Sequence, residues 1–203
     1  MHNESVYLGL GSNVGNRIAH LRAGLAGLRE RGLKLRAVSS FYLTEPDLRA
    51  GDPAAANLRP GTLSAPNSRP GGDQPTKPEN TNHPWYVNCV AAVHDAPDAD
   101  QLLDLCLRVE AEHGRPRRPT SEDHGPPEPR TLDIDVLMIG ERIIEGSSIR
   151  VPHPRMQERR FVLAPLAEIA PQARHPVAEA TISGMLDALP QRERVWLLAP
   201  SRP

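Results

Sequence analysis

Residues 131–139 read Thr131-Leu132-Asp133-Ile134-Asp135-Val136-Leu137-Met138-Ile139, alternating apolar and acidic side chains before becoming fully apolar. Side chains alternate across a strand, so Leu132, Ile134 and Val136 face a core while Asp133 and Asp135 project from the other face, their Cα atoms about 7 Å apart. Two carboxylates so placed can hold Mg²⁺, including the paired ions that clamp a polyphosphate during phosphoryl transfer. On spacing alone, a solvated strand face fits the pattern as well.

The neighbours weigh against the plain surface. Upstream lie Arg115, Arg117, Arg118 and Arg130 in a segment rich in Pro and Gly, and downstream lie Arg150, Arg155, Arg159 and Arg160. Arginine forks bind phosphate oxygens in pairs, so an Asp pair between two such clusters points to a metal-polyphosphate site. An Arg-rich composition, with lysine only at Lys34 and Lys77, accounts for part of the clustering by itself. His153, set between Pro152 and Pro154, is a candidate hydrogen-bond donor to phosphate.

Outward from this strand, mixed strands and helices are expected. Residues 4–10 read as a strand and 16–30 as a helix with Asn16 as N-cap. Residues 33–43 read as one strand ending in the turn-prone Thr44-Glu45-Pro46. Residues 85–93 are a further strand, and 98–113 an amphipathic helix whose Asp98 and Gln101 suggest a capping box. A strand pair around 142–151, a helix from Phe161 to Ile169, and a last helix and strand between 184 and 198 complete the pattern. The expected class is α+β, a sheet with helices on one face. Residues 47–84 hold seven prolines and only Leu48, Leu58 and Leu63 as large apolar residues. Such a stretch buries too little surface to offset its ordering entropy, and a disordered loop insertion within a single domain is expected there.

Three further groups bear on function. The segment GLGSNVG at 9–15 lies between strand and helix, yet the dinucleotide fingerprint needs Gly where Val14 stands and a Walker loop needs a Gly-Lys pair. Any ATP is therefore held without either standard phosphate loop, and Gly9 and Gly11 are expected to serve a turn's backbone geometry. Tyr86 and Asn88 stand two apart and share a strand face. With Phe161 they make an aromatic slot plus an amide suited to a flat heterocycle, although helical periodicity alone assigns Phe161 to the core.

Composition bounds the rest. The 203 residues carry 24 Lys plus Arg against 25 Asp plus Glu, a net charge of -1, which argues against a general nucleic-acid binder. Cys89 and Cys106 show no CxxC pairing, and no apolar run approaches a membrane span. A cytoplasmic protein with no membrane and no nucleic-acid partner is expected.

In order along the chain, GLGSNVGNR, SSFYLTEP, WYVNCVAAV, EHGRPR, PRTLDIDVLMIG and VPHPRMQERRFVLAPLAEIAP together resemble the 6-hydroxymethyl-7,8-dihydropterin pyrophosphokinases of folate biosynthesis. The blocks PRTLDID, VPHPRM and RRFVL are the most specific. The resemblance runs from about Tyr7 to Pro171 outside the long loop, and only loosely beyond. It implies a ferredoxin-like α+β fold with a mixed or antiparallel sheet. It implies transfer of the β,γ-diphosphate of ATP to the pterin hydroxymethyl oxygen, releasing AMP. Carried over by position, Asp133 and Asp135 ligate two Mg²⁺ ions. Tyr86 and Phe161 sandwich the pterin, and Asn88 with Thr44, Glu45 and Pro46 bonds its edge. Arg115, Arg117 and Arg130 act on phosphates and in loop closure, Glu110 lies near the nucleotide, and His153 and Arg159 contact ATP phosphates. A monomer is expected, with association with other folate-pathway enzymes left open. The chain departs from the family in the long 47–84 segment and in a lengthened 115–130 segment without Trp, where His124 is the substitute lid. A degenerate pterin- or nucleotide-binding protein and an RNA-binding α+β module are the competing classes.

Overall fold

The computed structural model describes residues 4–45, 85–114, 130–190 and 194–200. The 47–84 insertion and Pro46, Arg115, Arg117, Arg118 and His124 lie outside them.

The central sheet is built from β1 (Val6–Ser12), β2 (Lys34–Val38), β3 (Phe41–Thr44), β4 (Tyr86–His94), β5 (Asp133–Ile139) and β10 (Val195–Ala199). Its order is β10-β3-β4-β1-β5, with β2 also paired to β4, and every pair is antiparallel. With α1 (Arg17–Glu30) after β1 and α2 (Ala99–Glu112) after β4, this is the β-α-β-β-α-β ferredoxin-like pattern. Two small hairpins, β6 (Ile144–Glu145) with β7 (Arg150–Val151) and β8 (Arg174–His175) with β9 (Ala180–Thr181), precede and follow α3 (Arg160–Ile169), and α4 (Ile182–Ala188) comes after the second.

The expected caps are present. Asn16 accepts from Ala19 N at 3.2 Å and Asp98 from Gln101 N at 3.0 Å, each satisfying an amide that the first helical turn leaves unpaired. The expected single strand over 33–43 is instead two, broken at Ser39 and Ser40. Ser39 N donates to Val90 O, and Val90 N donates to Ser39 Oγ, so a side chain replaces one rung of the ladder and the strand bends.

Helices cover both faces of the sheet, which corrects the one-face expectation. Leu8, Leu10, Cys89, Ile134 and Val136 pack beneath α1 and α2 with Leu21, Leu25, Leu102 and Val109. Tyr7, Val90, Leu137 and Met138 pack on the other side against Val162, Leu163 and Leu166 of α3 and Met185 of α4. Both α2 and α3 are amphipathic, and nothing local in either stripe says which sheet face it will meet.

Candidate active site

Alternate residues of β5, β1, β4 and β3 come together on the α3 face. Across the ladder, Asp133 pairs with Gly11, Gly11 with Asn88, and Asn88 with Tyr42. One step along, Asp135 pairs with Gly9, and at the far end Thr44 pairs with Tyr86. Neither Gly9 nor Gly11 has the positive φ of a turn; both lie within regular β1, which continues to Ser12. Lacking side chains, they leave a low strip between the carboxylates and the amide, about 10 Å wide from two strand spacings, which among the described residues Leu137 overhangs at Gly9 and the Asn88 amide at Gly11. A Cβ on Gly11 would stand 2.8 Å from Asn88 Oδ1. The backbone-turn role expected for these glycines is therefore replaced by a space-making one, because pairing on both sides keeps β1 extended where local propensity favours a turn.

Each wall is held from behind. β5 is a sheet edge, and the outward amide of Ile134, between the two aspartates, donates to Glu110 Oε1 at 2.7 Å. Glu110 is 2% exposed, so the carboxylate expected near the nucleotide sits under the strand that carries the Asp pair. Arg130 N donates to Asn13 Oδ1 at 2.6 Å, Asn13 N donates back to Arg130 O at 3.1 Å, and Arg130 Nη1 pairs with Asp133 Oδ2 at 2.9 Å. Asn13 was not among the candidates; its signal is a buried polar side chain just after a core strand.

A bulge in β5 around Leu137 shifts the register against β1, and Leu137 O accepts from His153 N at 2.9 Å. This sets His153 beside the strand. Its Nδ1 accepts from Arg155 N at 3.2 Å, which leaves the proton of the neutral ring on Nε2 as a donor. Burial holds this imidazole below its ordinary pKa, and the charges of Arg159 and Arg155 lower it further. A neutral ring is thus favoured near pH 7.

On the opposite wall, Asn88 Nδ2 donates to Thr44 Oγ1 at 2.7 Å, in a buried contact that fixes the amide's orientation. Phe161, in the first turn of α3, is partly buried against the α3-side core, and the Arg159 guanidinium lies 5.4 Å from its ring centre. Tyr86 opens β4 just after Trp85, whose carbonyl accepts from Arg17 Nη1 at 2.6 Å and whose ring stacks on Trp196 of β10 at 4.9 Å. Glu45 turns away to β10, with Arg194 N 3.4 Å from its Oε2 and Arg194 Nε 3.9 Å from Oε1.

The strands therefore assemble Asp133, Asp135, Asn88, Thr44 and Tyr86 on one face, with Arg130 and His153 tied to the β5 side, Arg159 just before α3 and Phe161 in its first turn. Among the described residues no group of three or more His, Cys, Asp or Glu is placed to hold a metal. Two half-exposed aspartates on one face still fit Mg²⁺, which takes one or two carboxylates and completes its shell with water and phosphate.

A model of the 7,8-dihydro-6-hydroxymethylpterin-pyrophosphokinase (HPPK) family matches residues 71–171. The 2-amino-4-hydroxy-6-hydroxymethyldihydropteridine pyrophosphokinase of Bacillus subtilis is 31% identical over 179 residues, covering 88% of this chain and 85% of that protein. The chain belongs to the HPPK family. The folic acid synthesis protein fol1 of Pneumocystis carinii is 29% identical over 187 residues, and there the chain spans only 20% of the relative's length. A crystal structure of HPPK-DHPS in complex with substrates superposes with a TM-score of 0.60 over 93% of this chain and 43% of that one, at 13% identity. That likeness is one of fold. Among the described residues no helix is long and apolar enough to cross a membrane.

Proposed function

We propose that the chain transfers the β,γ-diphosphate of ATP to the hydroxymethyl oxygen of 6-hydroxymethyl-7,8-dihydropterin. The observation that carries this is the Gly9–Gly11 strip, which has no side chains of its own, with paired carboxylates along one side and an oriented amide along the other. Membership of the HPPK family supports it, and ATP is that family's co-substrate.

In this reaction the pterin hydroxyl oxygen attacks the β-phosphorus in line, the bond to the α–β bridging oxygen breaks, and AMP leaves. No nucleophilic side chain is required, so the protein's share is positioning and electrostatics. Tyr86 and Phe161 flank the pterin ring, and Asn88 and Thr44 bond its edge. The bond from Asn88 Nδ2 to Thr44 Oγ1 fixes the amide, whose carbonyl then accepts from a ring N–H. Arg130 and Arg159 supply forks to phosphate oxygens, and the neutral His153 donates through Nε2. Arg115 and Arg117 are assigned to the same phosphates from the resemblance alone. Glu110 acts on the β5 backbone, and Glu45 holds its turn to β10. Asp133 and Asp135 would hold two Mg²⁺ ions, which when bound neutralise phosphate charge and lower the pKa of the attacking hydroxyl. The protein is further assigned to the cytoplasm, acting as a monomer.

The test incubates the chain with ATP, Mg²⁺ and the pterin and resolves the nucleotides by chromatography. Pterin-dependent AMP is the expected product. ADP would identify a simple kinase, and pterin binding without turnover would identify a degenerate binder.

A further inference from the structure

Glu168 occupies the last turn of α3, where the helix carries partial negative charge and an acidic side chain is electrostatically misplaced. Its carboxylate is met there by a set of donors from the sheet. Ser40 N lies 3.1 and 2.9 Å from its two oxygens, Ser40 Oγ donates to Oε1 at 2.8 Å, and Tyr42 O–H donates to Oε2 at 2.8 Å. The phenol keeps its proton far above neutral pH, since burial and the neighbouring carboxylate both raise its pKa. Ser40 is itself immobilised, because the adjoining Ser39 is fully buried and bonded through backbone and side chain to Val90 of β4.

The helix carries this anchorage to the site. Glu168 follows Phe161 by seven residues, two turns, so both side chains lie on the same side of α3 about 10 Å apart along its axis. Tyr42, in turn, is the direct ladder partner of Asn88. One end of the helix is thus clasped to the row that carries the amide, and the other end presents the aromatic ring. Three donors from the sheet engage the partly solvent-facing Glu168 carboxylate, so its position is set from within the fold.

We propose that Glu168 is a positioning residue whose clasp with Ser40 and Tyr42 sets the placement of Phe161 over the pterin. This rests on Phe161 being a ring that stacks on the pterin, as proposed above.

The test is a double-mutant cycle on the full chain, with pterin binding by calorimetry, the ATP KM and the melting temperature as readouts. Glu168→Gln should weaken pterin binding about tenfold, the scale of one hydrogen bond to a charged group, while the ATP KM moves less than about twofold. In the Phe161→Ala background the same change should cost pterin binding nothing further, because it acts through that ring. A merely structural role would lower the melting temperature without this split. Unchanged pterin affinity in Glu168→Gln, or full additivity with Phe161→Ala, overturns the inference alone. A wild-type chain that binds no pterin overturns the pterin assignment with it. Should Glu168→Gln not fold, Tyr42→Phe removes one donor and should weaken pterin binding about threefold by the same route, with no change overturning the inference.

Discussion

The two faces of the central sheet are drawn from the same strands and have opposite characters. Toward α1 and α2, inward positions of β1, β4 and β5 are filled by Leu8, Leu10, Val87, Cys89, Ile134 and Val136, and that side is core. Toward α3, the alternate positions are Gly9, Gly11, Asn88, Asp133 and Asp135, where the glycines and aspartates are partly exposed and Asn88 is buried, and the far part, from Tyr7, Val90 and Leu137 onward, is core. One strand therefore serves stability with every second residue and chemistry with the residues between, and a one-residue slip in register would exchange the two sets. The division is sharpest at Ile134, whose side chain is in the core while its amide is held by Glu110 between the two aspartates.

Substitutions on the two faces should separate cleanly. The largest effect belongs to Asp133→Ala, which should lower turnover about a thousandfold or more at saturating Mg²⁺ with melting little changed. Near-normal steady-state turnover would remove the metal assignment. On the opposite face, Leu8→Ala should cost about 2 to 5 kcal/mol in urea unfolding while the folded fraction keeps its specific activity, since the deletion leaves a cavity beneath the sheet. A loss of activity larger than the loss of folded protein would show the faces to be coupled.

Smaller again is Phe161→Ala, expected to weaken pterin binding by about 1 to 3 kcal/mol without altering nucleotide affinity. Unfolding in calorimetry would instead place Phe161 with the core residues beside it.

The smallest effect concerns pH. The His153 and His175 imidazoles are both held below their ordinary range by burial, with Arg159 and Arg155 adding to this at His153. On acidification the unfolded chain takes up protons near the ordinary value of about 6.5, before the folded chain does. Stability is therefore full above that pH and falls as pH drops toward the folded pKa values. His153→Gln should remove part of that fall in urea melts at stepped pH and leave the part due to His175. An unchanged slope would contradict the burial of a neutral ring at His153.

What the sequence disclosed follows its range. The period-2 pattern of β5 and the caps at Asn16 and Asp98 depend on neighbours within four residues and are legible directly. The resemblance named the members of the site without saying how they are held. The bond between Asn13 and Arg130, the clasp of Glu168 on Ser40 and Tyr42, and the pairing of β10 with β3 join residues more than a hundred positions apart. No local periodicity encodes these. Gly9 and Gly11 misled because their composition favours a turn, while two flanking strands impose extension.

The central claim is that neighbouring residues of β5 divide stability from chemistry, and the matched pair Asp135→Ala and Val136→Ala tests it most directly. Each variant would be measured for melting temperature and for pterin-dependent AMP release per folded molecule. Asp135→Ala should keep its melting temperature and lose turnover, and Val136→Ala should lose stability and keep turnover. Comparable losses of both quantities in both variants would contradict the division.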